Sequence, residues 1–228
     1  MTEKVLIFDA SSLISIAMNG LLPKLEKLKE ISNAKFIIPK EVHYEIIKRP
    51  LNIKKFELEA LQLNLLVKKG ILELPNSLGI KDSEITSKTK KIMNLANKTF
   101  FENNQKEIHL IDLGESACLA LGKILNEKQI ENVLVIDERT TRILCEKPEN
   151  LRKLMQKKLH RTINFKKENL SHFKNFKITR SCELMYLAYK KGFFEITNKK
   201  IVDAFLYALR FKGCSISTEE IKEIKKMR

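Results

Sequence analysis

Two short apolar runs, VLIF at residues 5–8 and VLVI at 133–136, each end in an aspartate, Asp9 and Asp137, and a helical pattern follows each one. Runs this short, rich in β-branched and aliphatic residues, read as strands buried on both faces of a parallel sheet. Residues 35–38 form a third such run. Strands alternating with helices predict an α/β fold with a mainly parallel sheet. Sheets of that kind bind ligands outside the carboxyl ends of their strands, so Asp9 and Asp137 are expected at one edge.

Between the strands, helices are expected at 13–18, after a polar turn at Ser11 and Ser12, at 23–31, and from Pro39 to about Pro50 with Glu41, Val42, Glu45, Ile46 and Ile47 on it. A helix at 53–69 closed by Gly70, a strand at 71–74, and helices at 84–101 and 112–126 follow. Further helices are expected at 139–145, 151–159, 181–191 and 199–212. A last one is marked by the capping-box spacing of Ser217 and Glu220.

With 228 residues and 43% hydrophobic content the chain can bury the core of a single domain. Seven Gly and five Pro exclude collagenous and low-complexity classes. No apolar stretch is long enough to span a membrane. Asp9 interrupts the N-terminal apolar run, which therefore reads as a strand and not a secretory signal. Cys118, Cys145, Cys182 and Cys214 have no CxxC pair, which fits neither a zinc site nor a disulfide framework and points to the reducing cytoplasm.

The formal net charge is +15, and residues 152–180 hold ten Lys and Arg against one acid, Glu168. A polyanion is the expected partner, because phosphate neutralisation dominates nucleic-acid affinity. Lys153, Lys157, Lys158, Arg161, Lys166, Lys167 and Arg180 are the candidate contacts. Phe165, Phe173 and Phe176 lie in the same window, either to stack bases or to pack on the core. Acidic lipid is the weaker alternative, since these phenylalanines make no continuous stripe.

Glu115 stands at the start of the 112–126 helix, three residues after Asp112, a spacing that also suits a capping box. Glu41 and Glu45 share one face of the helix that Pro39 opens. Carboxylates gathered at one edge repel unless a cation lies between them, and hard oxygen ligands select Mg2+ or Mn2+. An acidic edge beside a basic window suggests a metal-dependent enzyme acting on a phosphodiester.

In order, VLIFDASSLISIA (5–17), IIPKEVHYEI (37–46), DLGESACLAL (112–121) and VLVIDERTTRIL (133–144) resemble the four acidic motifs of PIN-domain ribonucleases. The segment ITRSCELMYLAYKKGFFE (178–195) resembles the helix after the last strand of one subgroup, although Arg180 departs from the Gly-Thr pair usual there. The resemblance implies a three-layer α/β/α sandwich around a mainly parallel sheet, with added helices, as one PIN-like domain over 1–228. Segments 76–107 (helical) and 146–177 (basic) would be insertions, and 198–228 would hold C-terminal helices.

The resemblance also implies RNA cleavage with Mg2+ or Mn2+, by water in line with the leaving oxygen, to 5′-phosphate and 3′-hydroxyl ends. Asp9, Glu115 and Asp137 would be metal ligands and Glu45 a fourth acid, with Glu41 its alternative. Ser11 would bond a carboxylate or the scissile phosphate, or else cap a helix. A homodimer is expected from the resemblance alone.

The four histidines have no ligand spacing, and neither a GxSxG elbow nor a phosphate-binding glycine loop is present. A haloacid-dehalogenase phosphatase would need an aspartate where Ser11 stands. The expectation is therefore a metal-dependent endoribonuclease. The alternatives are a non-catalytic RNA-binding protein of the same fold, or a toxin-type ribonuclease held by an antitoxin. The length of the chain disfavours the last.

Overall fold

The computed structural model describes residues 4–103, 105–198 and 200–226. Strand β1 (Lys4–Phe8) lies at the centre of the main sheet and is followed by helices α1 (Ala10–Met18) and α2 (Leu22–Ile31). Strand β2 (Ala34–Ile37) leads through Pro39 into α3 (Lys40–His43), which continues as a π-helical turn over Tyr44–Lys48. Then come α4 (Glu57–Lys68), α5 (Asp82–Asn97), the short strand β3 (Phe100–Glu102) and α6 (Leu113–Glu127). Strand β4 (Asn132–Val135) is followed by α7 (Arg139–Glu146), α8 (Pro148–Leu159), β5 (Ile163–Phe165) and the single turn α9 (Lys167–Leu170). The chain closes with β6 (Ile178–Thr179), α10 (Ser181–Lys190), α11 (Ile201–Phe211) and α12 (Thr218–Lys226).

The main sheet has the order β2-β1-β4-β6 and every pairing in it is parallel. Val5, Ile7, Phe8, Leu134 and Val135 are wholly buried, as strands covered by helices must be. The chain leaves β1 toward β2 on one side and later returns to place β4 on the other. The strand order therefore reverses between β1 and β4, and the carboxyl ends of these two strands are where such sheets bind ligands. Asp9 and Asp137 follow those two strands, as the apolar runs predict. Among the described residues, no helix is long and apolar enough to cross a membrane.

Several elements differ from the sequence expectation. The predicted strand at 71–74 is reduced to one bridge, between Ile37 and Glu73. The helix expected from 53 begins at Glu57, after a 3-10 turn at Pro50–Asn52. The helix expected to reach 101 stops at Asn97, because Phe100–Glu102 pairs antiparallel with Ile163–Phe165. That pairing joins the two segments that the resemblance treats as separate insertions. Phe100 and Phe165 stack across it with ring centroids 5.6 Å apart. Helix α5 buries Ile85, Ile92 and Ala96 in the common core and packs along α6. On α4 the inward face carries Ala60, Leu63 and Leu66, whereas Leu58, Leu61 and Leu65 are exposed on the other side.

Candidate active site at the sheet edge

Asp9 caps α1: its Oδ2 accepts from the Ser11 N–H at 3.1 Å and from the Ser11 hydroxyl at 2.6 Å. The same Ser11 oxygen accepts from the Asp137 N–H at 3.3 Å, so this one hydroxyl bridges the ends of β1 and β4. Of the two roles open to Ser11, it takes the one on the carboxylate, while its own backbone N–H is the capped group. Burial, against the bonds from Ser11, raises the pKa of Asp9, and the nearby Asp137 raises it further.

Asp137 is buried, and its partners come from α10. Oδ1 accepts from the Ser181 N–H at 2.7 Å and Oδ2 from the Ser181 hydroxyl at 2.5 Å, and the Cys214 thiol also bonds it. Burial still raises its pKa. Asp137 thus anchors the start of α10 as well as standing behind Asp9. The next residue, Glu138, caps α7 through the Thr141 N–H at 2.8 Å and is a charged neighbour of Glu115. Glu138 was not among the acids singled out in the sequence; the DE pair after a strand was the available signal.

Glu115 lies in the first turn of α6, and the capping box is real: its Oε2 accepts from the Asp112 N–H at 2.6 Å. Burial first, then the charges of Asp9, Glu138 and Asp112, raise its carboxyl from 4.5 to about 8. Glu45, on the π turn, reaches the same helix end. A Cβ on Gly114 would lie 2.8 Å from Glu45 Oε2, so the close approach needs a glycine there. The Gly114 N–H bonds Glu45, yet burial and the charges of Asp9 and Asp112 still push its carboxyl up to about 7. Glu41 is buried with Oε2 unpartnered among the described residues. The buried Cys118 thiol, one turn beyond Glu115, feels the charges of Asp9, Glu115, Glu45 and Glu41 and is held above its usual range, by burial first.

Carboxylates driven toward protonation by burial first, and by one another's charges second, are a hard-oxygen donor set whose chemistry suits Mg2+ or Mn2+. Among the described residues, however, no three His, Cys, Asp or Glu side chains are grouped closely enough to hold a metal ion. Glu115 is the candidate ligand with the fewest competing bonds, one from the Asp112 N–H, and the Ser11 bonds to Asp9 fall on a single oxygen, Oδ2. Asp137 has both oxygens taken by Ser181.

In the basic window, Lys153, Lys157, Lys158, Lys166 and Lys167 are exposed and make no ion pair among the described residues. Arg161 pairs with Glu102 at 2.6 Å while staying largely exposed. Arg180 must be removed from the set of surface contacts. It is buried, pairs with Glu183, donates to Glu220 at 2.7 Å and to the Ser215 carbonyl at 3.0 Å, and is held structurally. The phenylalanines pack and do not offer stacking faces: Phe173 is buried, Phe165 stacks on Phe100, and Phe176 lies beside Gly122.

No protein-family model, curated protein or solved structure matches the chain.

Proposed function

We propose that this chain is a metal-dependent endoribonuclease of the PIN type, with a three-layer α/β/α arrangement. The observation that carries the reading is the convergence of Asp9, Glu115 and Glu45 at the point where the strand order reverses, with Glu45 and Glu115 raised to about 7 and about 8. So costly a cluster is relieved by a divalent cation. Asp9 and Glu115 would hold Mg2+ or Mn2+, with Asp137 behind them; when bound, the ion supplies charge neutralisation at the phosphodiester and lowers the pKa of water. Ser11 fixes the Asp9 carboxylate, and Glu45, near neutrality, is placed to accept a proton from the attacking water. The exposed lysines of α8 and the segment after it supply the attraction for RNA.

The test is incubation of end-labelled single-stranded RNA and tRNA with the purified protein and Mn2+ or EDTA, beside Asp9→Asn. Metal-dependent cleavage lost in the variant is expected. Equal cleavage by both proteins, or none with any metal, refutes the reading. The lack of a ready three-acid metal group among the described residues favours one second reading, a non-catalytic RNA-binding protein, which the same experiment would reveal as binding without cleavage. The homodimer would use the exposed leucines of α4.

A further inference from the structure

Beyond the carboxyl end of β4, lined by residues of α7, α11 and the segment 213–220, lies a cavity of about 540 Å³. Its lining includes three arginines, Arg139, Arg142 and Arg210, and a single acid, Glu220. One wall, residues 213–217, is tied to the acidic edge by the bond from the Ser215 N–H to the Asp137 carbonyl at 3.1 Å. The other begins at Arg139, two residues past Asp137.

The acid does not neutralise the arginines. Glu220 Oε1 accepts from Arg180 at 2.7 Å and its Oε2 from the Ser217 N–H at 2.8 Å. Buried Arg180 therefore occupies the one lining carboxylate from behind. Two of the lining guanidiniums are anchored: Arg142 through Nη1 on the Ser215 carbonyl at 2.9 Å and, more loosely, through Nε 4.0 Å from Glu146 Oε1, and Arg210 through Nη1 on Thr218 Oγ1 at 2.7 Å. Each guanidinium has five N–H donors, so several remain after that anchoring. Arg139 has no hydrogen bond or ion pair among the described residues. Ser217 Oγ accepts from the Glu220 N–H at 3.1 Å, which leaves its own proton to donate. Arginine forks fixed in place with spare donors match the oxygens of a phosphate group.

We propose that this cavity is a phosphate subsite that seats a phosphate group of the nucleic-acid strand next to the acidic edge. The identity of the strand as substrate rests on the ribonuclease reading; the binding of phosphate does not. The experiment therefore reads binding in the Asp9→Asn protein, where cleavage plays no part. Fluorescence anisotropy would follow short single-stranded RNA, 5′-phosphorylated or 5′-hydroxyl, over a salt series, with calorimetric titration of inorganic phosphate alongside. Arg139→Ala loses no internal partner, and Arg142→Lys keeps the charge without the fork.

Each substitution is expected to weaken RNA binding roughly tenfold, and Arg139→Ala to lower the salt slope by about one. A preference for the 5′-phosphorylated strand that Arg139→Ala removes would assign a terminal phosphate, and equal losses on both strands an internal one. Unchanged affinity and salt slope in the double variant would overturn the subsite. Loss confined to inorganic phosphate would overturn its assignment to a strand. Absence of cleavage by the wild-type protein would sink the ribonuclease reading and leave these binding results standing.

Discussion

Replacing Glu115 by Gln isolates the electrostatic cost of the acidic edge, because a glutamine keeps the capping bond from the Asp112 N–H, 2.6 Å long in the wild type, and removes only the charge. Glu115 rises from 4.5 to about 8 on folding, through burial first and then Asp9, Glu138 and Asp112. A carboxyl raised in the folded state binds more protons there than in the unfolded chain. Its contribution is therefore fully present below 4.5 and is lost as pH climbs through about 8.

At about 1.36 kcal/mol per pH unit the whole rise corresponds to about 5 kcal/mol as a ceiling. Partial exposure and the share of repulsion that falls on Asp9 reduce the expected effect to about 2–3 kcal/mol. The metal-free variant should then equal the wild type at about pH 3.5 and exceed its stability by that amount at about pH 9, or roughly 5–10 °C in Tm. Urea and thermal unfolding in EDTA measure this. Adding Mn2+ should stabilise the wild type more than the variant at the alkaline end. Parallel pH profiles for the two proteins would refute the argument that these carboxylates are driven toward protonation.

Gly114→Ala should leave the fold within about 1 kcal/mol, since only the mobile end of Glu45 must give way, but it should reduce RNA cleavage by displacing that carboxylate; equal rates would detach Glu45 from the chemistry. Ser181→Ala removes a 2.5 Å bond from a buried carboxylate and should cost about 1–3 kcal/mol in urea unfolding, more as the pH is raised. Reversing charge at Lys153, Lys157 and Lys158 should weaken RNA binding and lower its salt slope by about three without changing Tm. Leu61→Lys on α4 should convert any dimer seen by light scattering to monomer.

The sheet edge was legible because parallel strands are apolar throughout and end abruptly, so an acid directly after such a run has one place to go. That logic located Asp9 and Asp137 together. It said nothing of where the Asp137 oxygens turn, since Ser181 lies 44 residues away and belongs to another helix. Glu41 and Glu45 share a helix face in sequence; what separates them is the π turn and the missing side chain at Gly114, neither of which periodicity encodes. The basic window was legible as charge and illegible in detail. Its phenylalanines pack inward, and Arg180, seemingly one more cation, is buried against Glu183 and Glu220. The arginine-lined cavity left no trace at all, because Arg139 and Arg210 meet only after the chain has crossed from α7 to α11.

The stacked Phe100 and Phe165 also have a mechanical consequence. Strand β5 follows α8, which carries three of the free lysines, and β3 follows α5, which lies along the helix that begins at Glu115. A pull on the basic arm is therefore passed through the aromatic rivet into α5 and α6 and is not absorbed by a slack loop. On the proposed ribonuclease reading, the spacing between the basic arm and the acidic edge would be a fixed ruler, and loosening that rivet with Phe165→Ala would blur where along a strand the protein cuts before it changes how tightly the strand is held.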